Sequence, residues 1–503
     1  MVAAATAALF GLAAVLMVSL NFGCGAAPSQ EPSAVEPLVF HCAAGIKPPV
    51  EAAARQYEDE YGVPIQLNFG GSGALLSTLT LSTHGDIYLA ADASYLEIAA
   101  EKGLVQEIIP LARIRPVIAV RKGNKKEIKS LADLLRDDVK LAIANPDAAS
   151  IGKQVRKILQ ASGQWADIEQ AATGRGVFKP TVTDIANDVK MGAMDAALVW
   201  DCTAEQYPEL EAVHVPEFDA KVFQITLGIL KSCKNPAAAL RFARYLAASD
   251  RGLLKFAELG YEPVDGDVWD EQPEIVLFSG GVNRLAIQDT IAAFEKREGA
   301  TVTTNYNGCG ILVGMMKGGR RPDAYFACDP SFMIQVQDLF LDATTISETD
   351  MVILTRKGNP YEISSLQDLA DNDIKLGVAN PQQSALGALT ERLLQAIDMK
   401  LYDGVMKNVR AQTPTADLLV GQLVAGALDA AIVYEANTAN VRDKDEVVRI
   451  DHAMAKAVQP FAIGKQSQKK YLTARLLAAI RSAEGRKRFT DVGFRLAPQQ
   501  VKP

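Results

Sequence analysis

One set of motifs occurs twice in this chain, in the same order and at nearly the same spacing. DIYLAAD at 86–92 returns as DAYFACD at 323–329, 237 positions on. RKGN at 121–124 returns at 356–359, and LAIANP at 141–146 as LGVANP at 376–381, both 235 on. GAMDAALVW at 192–200 returns as GALDAAIVY at 426–434, 234 on. The period is far too long for a stacked solenoid, so each copy must be a domain-sized unit with its own core. The repeat sets copy one at 37–264 and copy two at 273–500. The polar join between them is short enough to keep them neighbours.

Within copy one, β-rich apolar runs alternate with amphipathic ones. Strands are expected at 38–43, 65–69, 86–90, 117–121, 140–144, 196–200 and 223–230. Helices are expected at 49–61, 74–79, 93–102, 131–135, 151–162, 184–191, 236–247 and 252–259. Alternation of this kind implies parallel sheets with ligand sites at the strand ends. Two such series in about 230 residues imply two α/β lobes per copy. Copy two repeats the pattern from residue 275.

Several stretches place a strand end against a helix start. The glycine turn FGGSG at 69–73, matched by YNGCG at 306–310, is the clearest. Others fall at 42–45, 145–150 and 181–185, and Trp200 ends a fifth strand. Glycines permit close backbone approach, and helix starts offer unpaired N–H groups at a positive dipole end. Neutral donors of this sort suit a tetrahedral oxyanion. They do not suit a sugar, which calls for exposed aromatics, or an amino acid, whose carboxylate calls for an arginine.

Other classes find little support. A net charge of −8 without basic runs argues against nucleic acid. The 4 histidines are scattered, with no metalloprotease, nucleophile-elbow or P-loop motif, so catalysis is not expected. His41, set opposite Ser279 of copy two, reads as structural. Asp86, Asp92, Asp323 and Asp329 read as capping and hinge residues. The 6 cysteines show no CxxC and no zinc spacing. No disulfide framework is expected, although an oxidising compartment leaves one pair open. Residues 1–24 are apolar and read as an export signal, and 25–36 as a flexible tether. The stretch ending at Cys24 resembles a lipoprotein cleavage site. A cleaved signal and an uncleaved anchor also fit it, and all three place the rest outside the cytoplasmic membrane.

Both copies resemble the periplasmic molybdate-binding protein family, the type II solute receptors of ABC importers. FHCAAGI at 40–46, NFGGSGALL at 68–76, GDIYLAAD at 85–92, LAIANP and GAMDAALVW carry the resemblance. It implies two α/β lobes that close on the anion by a hinge. It also implies a molybdate or tungstate ligand, a partner ABC permease, no cofactor, no bound metal and no enzymatic activity; a receptor of the same fold for phosphate, sulfate or a metal, and a non-transport extracytoplasmic sensor, are the alternatives. The family's first-loop serine is replaced here by Ala44 or Gly45, which leaves backbone donors. The second serine matches Ser72 beside Gly71. The backbone donors match Ser150 or Ile151, and Ile185. The family tyrosine falls at Trp200, whose indole N–H can donate. In copy two the corresponding residues are Gly281 and Val282, Cys309, Ala385 or Leu386, Leu419 and Tyr434. Neither copy has the full set: copy one keeps the serine and copy two the tyrosine.

Overall fold

The computed structural model describes residues 36–497 apart from 83 and 372. The expected export signal, the lipidation site at Cys24 and nearly all of the tether lie outside the described residues. The described residues from 37 onward group as one compact unit.

Copy one builds two sheets. The first takes β1 (Leu38–Ala43), β2 (Ile65–Gly70), β3 (Ile87–Ala90) and β4 (Val105–Ile114). The chain then crosses to a second sheet made from β5 (Pro116–Arg121), β6 (Leu141–Ala144), β7 (Val177–Lys179), β8 (Ala196–Trp200) and β9 (Leu210–Val213). It returns through β10 (Phe223–Leu230) and the short β11 (Glu262–Pro263). The strand orders are β11-β4-β10-β3-β1-β2 and β7-β6-β8-β5-β9. The two expected lobes are present, but their sheets are mixed rather than parallel. The returning strand β10 pairs antiparallel with both β3 and β4, and β5 pairs antiparallel with β8 and β9. A strand that crosses back from the other lobe enters from the opposite end, which reverses its direction. The expected reading passed over β4, β7, β9 and the helix Trp165–Arg175.

Copy two repeats the scheme with β12 (Glu274–Gly280), β13 (Thr301–Asn307), β14 (Ala324–Phe326), β15 (Thr344–Arg356), β16 (Leu376–Ala379), β17 (Val409–Thr413), β18 (Ala430–Tyr434), β19 (Asp445–Arg449), β20 (Lys456–Ile463) and β21 (Arg495–Leu496). Here β15 runs through both lobes: its first half pairs β20 and its second half β18. Copy one breaks the same path at Pro116. Pro116 lies opposite Trp200 as Met351 lies opposite Tyr434, and the Met351 N–H donates to the Ala455 carbonyl at 2.8 Å. Proline has no N–H for that bond.

Register also corrects one equivalence. The Val39 N–H donates to Asp86 as the Val276 N–H donates to Asp323, both at 2.8 Å. His41 therefore corresponds to Phe278, one residue before Ser279. The His41 ring lies 3.2 Å from the His84 carbonyl, and burial pushes its pKa below the ordinary value. These contacts fit a structural residue.

Each copy has its own apolar core. The join is ordered by both. Trp269 packs on Tyr245 and Tyr61, and its indole N–H donates to the Tyr61 hydroxyl at 2.8 Å. Two residues earlier, the Asp267 carboxylate accepts the Tyr471 and Leu472 N–H groups at 3.0 and 2.9 Å. It thereby caps the helix Lys470–Arg481, which has no cap of its own. Beside it, the almost fully buried Glu298 accepts from Arg475 of copy two (2.7 Å) and Arg244 of copy one (3.2 Å). Arg297 adds a bidentate pair with Glu107.

Candidate functional site

The strand ends and helix starts meet as expected in copy one. β1 runs into the turn Ala44–Ile46, and β2 ends at Gly70 before the helix Ser72–Leu81. From the other lobe come the helices Ser150–Ala161 and Val182–Lys190 and the end of β8 at Trp200. Together they line a cavity of about 20 Å³. Ala44, Gly45, Gly71, Ser72, Ser150, Ile151 and Trp200 all line it, and no charged side chain does.

Ile185 does not line it. It is the fourth residue of its helix, past the unpaired first turn, and its side chain is buried in the core. Thr181 and Val182 take its place at the wall. A capping box between Thr181 and Asp184 occupies two of that helix's first donors. The helices beginning at Ser72 and Ser150 have no side-chain cap.

Ser72 is 2% exposed. Its hydroxyl oxygen accepts the Ala91 N–H at 3.2 Å, which leaves its own hydrogen free to donate. The Tyr88 hydroxyl donates to its carbonyl at 2.7 Å and fixes the turn.

The glycines hold the lobes together. A Cβ on Gly71 would lie 2.4 Å from the Ala148 carbonyl oxygen and 2.9 Å from that of Pro180, both in the opposite lobe. The Gly73 N–H donates to the Ala148 carbonyl at 2.9 Å. Copy two closes identically: the Gly310 N–H donates to the Gln383 carbonyl at 3.0 Å, and a Cβ on Gly308 would lie 2.2 Å from that oxygen. In copy one a side-chain latch also forms at Asp92, one of the residues read from the sequence as capping and hinge contacts. Asp92 caps the helix Ala93–Glu101 and also accepts from Ser150 and, at 3.0 Å, from Gln154 across the cleft.

The copy-two residues occupy matching places with different chemistry. Gly281 and Val282 form the first turn, and Cys309, Ala385 and Leu386 begin helices. Leu419, like Ile185, is fourth in its helix and fully buried. The Tyr434 hydroxyl is buried with no hydrogen-bond partner among the described residues. Asp417, also missed from the sequence, has a carboxylate oxygen 3.5 Å from where a Gly281 Cβ would stand. Burial pushes its pKa up, against a 2.7 Å bond from Asn437.

The sequence pattern of the bacterial extracellular solute-binding protein family matches residues 38–262 and again 275–495. Over 253 residues the chain is 28% identical to the molybdate-binding protein ModA of Mycobacterium bovis, spanning 48% of this chain and 94% of that protein. It is 24% identical over 255 residues to a Bacillus subtilis protein provisionally named an ABC transporter substrate-binding lipoprotein, YvgL, spanning 50% and 96%. Among solved structures, the periplasmic molybdate-binding protein of Azotobacter vinelandii aligns at 18% identity with a TM-score of 0.38, covering 45% of this chain and 100% of its own. With both copies matched over nearly their whole length, the chain belongs to the bacterial extracellular solute-binding protein family.

Proposed function

We propose that the chain is an exported receptor that captures molybdate or a related tetrahedral oxyanion, such as tungstate, and delivers it to an ABC permease. One observation carries the reading: the copy-one cavity is small and walled by neutral donors at converging helix starts, with no charged side chain. Ser72, the backbone N–H groups of Ala44, Gly45, Ser150, Ile151 and Val182, and the Trp200 indole are the donor set. Dipoles fixed in a dry site stabilise a fully ionised dianion without a counter-charge. A protonated anion would present a hydrogen that needs an acceptor, and no carboxylate lines the wall.

Lobe closure then presents the loaded form to the permease. The closing contacts are the Gly73–Ala148 backbone bond and the Asp92 latch. No covalent step or cofactor enters this scheme. Lipidation of Cys24 would tether the receptor to the membrane, as the name of the Bacillus subtilis relative suggests for that protein. Among the described residues no helix is long and apolar enough to cross a membrane.

Titration calorimetry of the full-length protein with molybdate, tungstate, sulfate and phosphate tests the reading. Tight binding of molybdate or tungstate supports it. Heat with sulfate or phosphate alone would replace it with a receptor of the same fold for a different ligand.

A further inference from the structure

The floor of the second cleft holds two cysteines in contact. Cys309 and Cys328 lie with their sulfurs 2.8 Å apart, and both are buried free thiols. Three positions have changed together to make this pair. Copy one has Ala43, Ser72 and Ala91 where copy two has Gly280, Cys309 and Cys328. A Cβ on Gly280 would lie 2.0 Å from the Cys328 sulfur and 3.2 Å from that of Cys309. The methyl lost at 280 is therefore the space the second sulfur fills. The Cys328 N–H donates to the Cys309 sulfur at 3.1 Å, as the Ala91 N–H does to Ser72.

The geometry points to a redox function for this pair: Cys309 and Cys328 close reversibly to a disulfide, and that disulfide weakens anion binding by copy two. The switch rests on the oxyanion reading of the clefts; the disulfide does not. Cys309 stands where Ser72 donates in copy one. As a thiol it offers a weak S–H donor, and as a disulfide it offers none.

The chemistry balances by exchange with a small-molecule or protein disulfide. The Cys309 thiolate attacks one sulfur of that disulfide, forming a mixed disulfide and expelling one thiol. The Cys328 thiolate then attacks the Cys309 sulfur and expels the second. Two protein thiols lose two electrons and two protons, and the exchange partner gains them. Burial pushes the Cys309 thiol up, but bonds from the Cys328 thiol and N–H outweigh it and hold it below the ordinary value. The bond to Cys309 and burial push Cys328 well up. Cys309 is also the first residue of its helix, where the dipole favours a thiolate, and it is the attacking sulfur. An external disulfide reaches these sulfurs only when the lobes part, so a closed, loaded copy two is protected.

The full-length protein, equilibrated in reduced or oxidised glutathione, provides the test. Alkylation under denaturing conditions followed by peptide mass analysis should show a cross-link between the Cys309 and Cys328 peptides in oxidised buffer only, lighter by two hydrogen atoms. Cys42 and Cys202 should be alkylated in both buffers. A pair that remains alkylatable throughout overturns the disulfide. Calorimetry with molybdate should give two sites per chain when reduced, the second weaker, and the second should weaken several-fold further when oxidised. Equal affinity of the second site in both states overturns the switch. No molybdate uptake in either state overturns the oxyanion reading and the switch with it, while the mass measurement still decides the disulfide. In Cys328→Ala, which restores the copy-one residue, the second site's affinity should no longer respond to glutathione. An affinity that still falls on oxidation overturns the assignment.

Discussion

The two copies preserve their scaffold contact by contact and part company where a ligand would sit. In copy one the Asn124 side chain donates to the Ile128 carbonyl at 2.8 Å and accepts its N–H at 3.0 Å; Asn359 and Ile363 repeat both distances. The backbone at Asn124 and Asn359 is left-handed, with φ of 35° and 39°. Asparagine tolerates that region through local hydrogen bonds. Asp92 and Asp329 cap equivalent helices. Against this, Ser72 becomes Cys309, Ala91 becomes Cys328, and a carboxylate, Asp417, stands beside the first turn. A contact that holds the fold is costly to lose in either copy. A ligand contact becomes free to drift once a second copy can supply it. The motifs most alike between copies therefore report folding, and the positions that differ report binding.

Four substitutions bear on this contrast, and a fifth follows from the last of them. The largest effect is expected at the joint. Glu298→Gln leaves Arg244 and Arg475 buried without their counter-charge and should cost about 3 kcal/mol or more. Calorimetric unfolding should then show the copies melting as two transitions; a single unshifted transition would mean that they are coupled elsewhere. Acid should act in the same direction. Burial pushes the Glu298 carboxyl up, but Arg475 and Arg244 outweigh it and hold it below the ordinary value of 4.5. Its contribution is therefore complete above that pH and lost as the pH falls through the lower folded value.

Gly71→Ala comes next. The added methyl meets the Ala148 carbonyl and should block closure of copy one, costing about 2 kcal/mol of anion affinity. Copy two should be unaffected, and scattering with and without molybdate should show one copy remaining open. Ser72→Ala removes a single hydrogen bond to a charge and should weaken the copy-one site by about 1–2 kcal/mol in calorimetry. An unchanged affinity would move the anion away from this turn. Smallest is the gain from Cys309→Ser, which exchanges a thiol for a better donor. It should strengthen copy two by about 1 kcal/mol in reduced buffer. No gain would assign the weakness of copy two to Asp417, and Asp417→Asn would then be the variant that recovers it.

The duplication, the two-lobed α/β plan and the convergence of glycine turns on one cleft are legible in the sequence, because each depends on local signals: a repeat, a hydrophobic period, a turn before a helix. Seven of the eight copy-one candidates line the cavity for the same reason. Tertiary structure decided the rest. Ile185 falls outside the wall because the helix's free N–H groups end within its first turn, where Val182 stands. Strand direction was hidden because β10 enters from the other lobe. The roles of Gly71 as a close-packing point and Asp92 as a latch depend on Ala148, Ser150 and Gln154, residues about 60–80 positions away. The pairing of Cys309 with Cys328 is of the same kind. Sequence gives the residues their chemistry, but only the packing of β12 against the helix start at Cys309, with Gly280 between, brings the two sulfurs together.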